Sequence, residues 1–324
     1  MSALLVLDGL SVWLPSREGQ VAVVDHIDLE VQPGEVVGVA GESGSGKTMT
    51  ALALLGLLPP HAVTEGRAVF GDRDLLKINR RELRHLRGRD IGMVFQDPMT
   101  SLHPMLTIER QLTEHVRYHR GVSRAEARRD AITMLEEVRI PDPAGALNAY
   151  PHQFSGGMRQ RIAIAIALAC SPQLLIADEP TTAVDVTVQA GILRLFNRLR
   201  ERSSLSIMFI THDLGVMASI ADRLYIFYAG RVVESGPTGD LLTRPRHPYT
   251  RGLLDALPHP EGEPMPLRPI AGAPPAPAAR PPGCPFHPRC PYMLASCAVD
   301  VPTLEPIGGG RRLACPVDPL REAS

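Results

Sequence analysis

Residues 35–48 constrain this chain more than any other stretch: a valine-rich apolar run ends at Gly41 and continues Glu42, Ser43, Gly44, Ser45, Gly46, Lys47, Thr48. The run reads as a strand buried on both faces in a parallel sheet. The Gly-x4-Gly-Lys-Thr pattern that follows permits a concave loop with inward-pointing N–H groups. A helix beginning near Thr48 aims its positive end at the same place. Together these make a cradle for a polyphosphate, with the Lys47 ammonium on the β/γ-phosphates and the Thr48 hydroxyl on Mg2+. Of 34 basic residues only Lys47 and Lys77 are lysine. A chain that writes arginine almost everywhere keeps lysine here because a planar guanidinium is too bulky between phosphate oxygens. A nucleoside triphosphate is the expected ligand.

The rest of the chain fits such a core. Apolar and polar residues alternate over residues 4–32, which predicts antiparallel strands with a turn near Pro15 to Gly19. A helix is expected over 48–58, then a short polar strand pair within 66–75 and a basic helix over 80–87. Buried strands are read at Ile91–Phe95, Leu174–Asp178 and Ser206–Ile210. Residues 98–169 are mainly helical and should form a lobe of their own, and 186–203 and 215–220 read as further helices. Leu224–Tyr228 and Arg231–Glu234, joined at Ala229 and Gly230, read as a hairpin. Strands alternating with helices imply an α/β architecture with a parallel sheet. Past residue 240 the composition shifts, since 19 of the 31 prolines fall in 241–324. The expected division is therefore 1–240 and a small proline-rich appendage at 241–324, with 271–282 a semi-rigid connector.

Composition excludes several classes. A net charge of −1 argues against a nucleic-acid binder. No apolar stretch approaches the roughly 20 residues of a membrane span, and the first eight residues lack a signal-peptide pattern. A cytoplasmic chain is expected, and its five cysteines point to metal or inert thiols rather than disulfides.

Two further motifs carry chemistry. Leu174–Asp178 is followed by Glu179, placing tandem acids at the carboxyl end of a buried strand, where ligands bind in open α/β sheets. Asp178 suits Mg2+ and Glu179 the attacking water. Ser155, Gly156 and Gly157 open a helix whose exposed positive end is a second anion site, reading either as a plain cap or as a surface completing a partner's site.

Phosphate loop, Gln96, Ser155-Gly-Gly-Met, Asp178-Glu179, Val184-Asp185 and His212 stand in the order found in ATP-binding cassette (ABC) ATPases, which residues 4–240 resemble. The resemblance implies a P-loop NTPase with a RecA-like core, an antiparallel β subdomain and a helical lobe, working as two cassettes that clamp two ATP molecules head to tail. It implies that Gln96 senses Mg2+ and water, that Asp185 crosses the dimer interface, and that His212 contacts the γ-phosphate. The signature departs from the family pattern in reading Phe-Ser-Gly-Gly-Met. The aromatic that stacks on adenine is not fixed: Trp13 and Val21 are the candidates, and Trp13 also reads as a core residue.

The stretches 96–104, 178–189 and 246–253, with the cysteine-bearing tail, are similar to the oligopeptide/dipeptide importer ATPases. That implies ATP hydrolysis powering peptide import from the cytoplasmic face of the inner membrane. The implied partners are a second, different ATPase subunit, two transmembrane permeases and an extracytoplasmic peptide-binding protein. Cys284, Cys290, Cys297 and Cys315 are spaced x5, x6 and x17, which suggests a metal centre standing in for a hydrophobic core. A [4Fe–4S] cluster is favoured by the resemblance, with Zn2+, His287 as a competing ligand, and unmetallated thiols as alternatives. Cys170 reads as a buried small hydrophobe. The runners-up are the same machine importing nickel or another small solute, a cassette ATPase acting on ribosomes or DNA, and an iron–sulfur redox protein.

Overall fold

The computed structural model describes residues 2–17, 19–97, 101–182, 185–257 and 269–321. Its strands in chain order are β1 (Leu5–Ser16), β2 (Gly19–Val31), β3 (Val36–Ala40), β4 (Val63–Phe70), β5 (Arg73–Asp74), β6 (Ile91–Val94), β7 (Leu174–Asp178), β8 (Ser206–Ile210), β9 (Arg223–Tyr228), β10 (Arg231–Pro237), β11 (Glu305–Gly308) and β12 (Arg311–Leu313). They fall into two units.

The first unit takes Lys77–Ile210 with Val31–Val36. Its strands β6, β7 and β8 lie side by side and parallel. Every residue of β7 and β8 is buried, as expected of parallel strands covered on both faces. Around them lie the helices Ile108–Arg120, Arg124–Glu137, Gly156–Leu168 and Val186–Ser203. Each starts at a side chain that satisfies an orphan N–H: Thr107, Ser123, Ser155 and Asp185. Ser123 and Glu126 form a reciprocal capping box.

The second unit takes Ala3–Glu30, Val37–Leu76 and the chain from Thr211 onward. It holds the antiparallel sheet β2-β1-β4-β5 and the strand series β11-β12-β10-β9-β3. In the latter, β3 is parallel to β9, while β9, β10, β12 and β11 pair antiparallel.

The antiparallel strands read over 4–32 are β1 and β2, with His26 at φ 55° inside β2. One expectation needs correction. The helix after the phosphate loop stops at Leu54 rather than 58. Gly56 turns left-handed (φ 57°) and the Leu57 N–H reaches back to the Leu52 carbonyl, so a glycine C-cap ends it before Pro59. Beyond residue 240, β12 pairs with β10 at Glu234–Leu313, so the tail contributes strands beside the strand that precedes it.

The tail is also fixed by charge. Glu234 on β10 is fully buried, and it accepts from the Arg246 N–H (2.9 Å), the His247 N–H (3.0 Å) and the Arg311 guanidinium (2.8 Å). Asp25 on β2 accepts from Arg231 (2.9 Å) and from Arg280 of the connector (2.6 Å). Among the described residues no helix is long and apolar enough to cross a membrane.

Candidate functional site

The phosphate loop lies in the second unit, directly after the wholly buried β3. Gly41, Gly44 and Gly46 take φ of 147°, 77° and 101°, a backbone that L side chains rarely adopt. At Gly41 a Cβ would lie 2.1 Å from the Phe227 carbonyl oxygen, and at Gly46 one would lie 2.8 Å from that of Val23. Only glycine lets the loop close this tightly. Ser43 and Gly44 are exposed at the rim, while Ser45 and Lys47 are buried. The Lys47 Nζ donates to the carbonyls of Gly41 (2.8 Å) and Glu42 (2.9 Å) and approaches the Ser45 Oγ at 3.4 Å. The ammonium thus sits where the loop curls, held by oxygens it can exchange for those of a phosphate. Thr48 follows on the first turn of the helix Lys47–Leu54. His212, in the same unit, is exposed just before the helix Leu214–Ile220.

The acidic pair lies in the first unit. Asp178 closes β7 and is 2 % exposed, a carboxylate held almost out of water. Glu179 turns left-handed (φ 46°) and donates its N–H to the Ile210 carbonyl. Its Oε2 accepts from the Thr182 hydroxyl (2.7 Å) and from the Gln96 amide (3.2 Å). Two residues singled out separately, Gln96 and Glu179, are therefore brought together. Gln160, buried on the helix that Ser155 caps, donates to the Pro180 carbonyl (2.7 Å) and ties that helix to the acidic strand end. Ser155 caps through its Oγ to the Met158 N–H, with Gly156 exposed beside it. Asp185 is exposed and caps the helix Val186–Ser203. Ala183, Val184 and residues 98–100 of these motifs lie outside the described residues.

The tail brings residues to the phosphate loop to which the sequence reading gave no role. Arg289 forks onto Glu42 (2.7 and 3.1 Å), and the Tyr249 hydroxyl accepts the Glu42 N–H (2.9 Å). Tyr249 is fully buried, and burial raises its phenol pKa. For Arg289 burial opposes the charge, but the hydrogen bonds to Glu42 and Tyr228 outweigh it and raise the pKa. Both residues stand within quoted family stretches, Arg246–Leu253 and Cys284–Cys290. The motif was visible but its distant partner was not.

Cys284, Cys290, Cys297 and Cys315 line one small cavity, together with Phe286 and Pro316 among others. Burial pushes the Cys284 thiol up to about 11 and raises those of Cys290 and Cys315. Among the described residues no three histidine, cysteine, aspartate or glutamate side chains converge to hold a metal ion, so the expected iron–sulfur centre is not established. His287, the competing ligand, has its Nδ1 against the Cys284 carbonyl at 2.9 Å. Cys170 is buried, with its thiol pKa raised by that burial. Trp13 sits on β1 opposite Val63, and Val21 on β2; both are half-buried.

Residues 24–182 match the ABC transporter family, and residues 233–297 match the oligopeptide/dipeptide transporter C-terminal region. The chain is 47 % identical to the dipeptide transport ATP-binding protein DppD of Bacillus subtilis, covering 92 % of this chain and 89 % of that one. It is 46 % identical to the oligopeptide transport ATP-binding protein OppD of Salmonella typhimurium, covering 98 % and 96 %. Among solved structures it is similar to the dimeric ATP-binding cassette MJ0796 in a post-hydrolysis state bound to ADP and Pi. That match has a TM-score of 0.66 and 28 % identity, over 72 % of this chain and 98 % of the other.

Proposed function

Because the chain belongs to the ABC transporter family, in its oligopeptide/dipeptide branch, we propose that it is the ATP-hydrolysing subunit of a peptide importer. The observation that carries this reading is identity of 46–47 % to peptide transport ATP-binding proteins through both the cassette and the tail. The closed phosphate loop is consistent with it.

In this reading Lys47 releases the Gly41 and Glu42 carbonyls for β- and γ-phosphate oxygens, and the loop N–H groups hold the rest of the chain of phosphates. The Thr48 hydroxyl, the Asp178 carboxylate and the Gln96 amide are hard oxygen donors, a set that suits Mg2+. Mg2+ held by them would neutralise charge building on the phosphate oxygens. Glu179 orients the attacking water and accepts its proton, and the Gln96 amide at 3.2 Å keeps that carboxylate in place. His212 contacts the γ-phosphate. Adenine is assigned to the Val21 end of β2, because Gly46 packs against Val23 of the same strand.

Two such cassettes close head to tail on ATP, Ser155 to Gly157 of one completing the site of the other, and Asp185 lies at their interface. The partner cassette is a different ATPase subunit. Residues 96–120 pass closure to two permeases at the cytoplasmic face of the membrane, and a peptide-binding protein delivers the solute outside. Residues 1–240 are assigned as the ATPase and 241–324 as the transporter-specific tail.

The cysteine cavity is assigned to a [4Fe–4S] cluster rather than Zn2+. Four cysteines line that cavity at spacings of x5, x6 and x17, without the x2–x4 knuckles usual for structural zinc, and four thiolates are the usual ligand set of such a cluster. Loading must strip protons from thiols that burial keeps neutral. Anaerobic purification should give a brown protein with iron and sulfide in equal amounts; a colourless zinc protein overturns this assignment.

The transport reading is tested in proteoliposomes holding the permeases, both ATPases and the binding protein. ATP-dependent uptake of labelled di- and oligopeptides is expected. Uptake of nickel but not peptide, in the same vesicles, contradicts it.

A further inference from the structure

Glu42 is an oddity of the phosphate loop: a carboxylate, 26 % exposed, inside a loop built to receive a polyanion. Left to itself it opposes the ligand, since like charges at close range disfavour binding by large factors. The structure shows what meets it. Arg289, in the short turn between Cys284 and Cys290, presents both terminal nitrogens to both Glu42 oxygens at 2.7 and 3.1 Å.

That guanidinium is held on all sides. Its side chain is 6 % exposed. Its Nε donates to the Ala271 carbonyl (2.9 Å), and a terminal nitrogen also reaches the Gly272 carbonyl (3.3 Å). Its Cζ lies 5.8 Å from the Tyr228 ring centre and 6.0 Å from that of Phe286. Phe286 is buried edge-on against Tyr228, fixing the turn that carries Arg289. The fork–fork pairing adds direction to charge, so the carboxylate is drawn toward the tail. On the other side Tyr249 accepts the Glu42 N–H, and the residue is clamped at backbone and side chain alike.

We propose that Arg289 is a positioning residue for the nucleotide site: it neutralises Glu42 and holds it back, so that a tail residue sets the charge of the phosphate loop. This rests on the reading of residues 41–48 as the ATP cradle.

The test is ATP affinity and steady-state hydrolysis of the full-length protein, with thermal melting as the folding control. Wild-type binding of ATP, lost in Lys47→Ala, establishes the cradle separately; its failure sinks that reading rather than this one. Arg289→Gln should raise the Kd and KM for ATP roughly tenfold with kcat nearly retained. Adding Glu42→Gln to it should bring the Kd back to within about threefold of wild type, because no uncompensated carboxylate then remains. A tail that merely braces the fold gives no such rescue. Unchanged affinity in Arg289→Gln, or a double variant as weak as the single, overturns the proposal. Should Arg289→Gln fail to fold, Glu42→Gln alone decides. It leaves the Arg289 cation uncompensated beside the loop and no carboxylate to hold back, so ATP should bind at least as tightly as to wild type; weaker binding overturns the proposal.

Discussion

At the scale of single residues, each side chain of the site answers for one measurable quantity. Lys47→Ala leaves the loop carbonyls without their cation and removes the point charge on the phosphates, so nucleotide affinity should fall by at least about tenfold in a calorimetric titration. Undiminished affinity would remove Lys47 from the cradle. Glu179→Gln keeps the shape of the site and loses the base; turnover should drop roughly a hundredfold or more while ATP still binds. Hydrolysis at the wild-type rate would take Glu179 out of the chemistry. His247 is buried and desolvation lowers its pKa from 6.5 to about 3, and its Nδ1 accepts the Tyr249 N–H (3.0 Å), a bond only the neutral ring makes. A histidine whose folded pKa is depressed contributes stability that is complete above pH 6.5 and is lost as pH falls from 6.5 toward 3. The loss should run at roughly 1.4 kcal/mol per pH unit within that window. Urea midpoints at pH 7.5 and pH 5 read this directly, and a His247→Gln variant should lose that part of the pH dependence. The same slope in both proteins would contradict it.

At the scale of elements, the tail is tied to β10 by one buried charge. Glu234 is fully buried, so Arg311→Ala strands a carboxylate away from water and should cost about 3 kcal/mol or more. A chemical melt that falls by less than 1 kcal/mol would show that the Arg246 and His247 N–H groups suffice. Elements like these were unevenly legible in the sequence. The buried strands β7 and β8 and the helix Val186–Ser203 stand where the apolar runs put them, because local periodicity records which face is covered. The hairpin of β9 and β10 was marked by Ala229 and Gly230, both left-handed as the turn demands. The left-handed angle at His26 and the stop at Leu54 were not, since each depends on a backbone angle that neighbouring residue types only permit. The pairing of β12 with β10 was hidden as well: short strands of mixed burial carry no alternation to read. The site divides the same way. Lys47, Asp178 and Glu179 belong to contiguous motifs, but Arg289 meets Glu42 across 247 positions, and a single ion pair at that separation leaves no periodic trace.

At the scale of the molecule, the motifs make sense only as halves of something. Ser155 exposes a helix start that the chain itself does not use for its own chemistry in this account, and Asp185 stands exposed at another. The similar cassette MJ0796 was solved as a dimer with ADP and Pi. The transport proposal turns such pairing into a cycle: ATP favours the closed pair, and its loss by hydrolysis favours the open one. The measurement that tests this most directly is the molar mass in solution of Glu179→Gln, mixed with its partner cassette carrying the equivalent change, with and without ATP and Mg2+. A one-to-one pair is expected that forms with ATP and dissolves when Ser155→Arg blocks the exposed helix start. Two monomers at every nucleotide concentration, with ATP demonstrably bound, would contradict it.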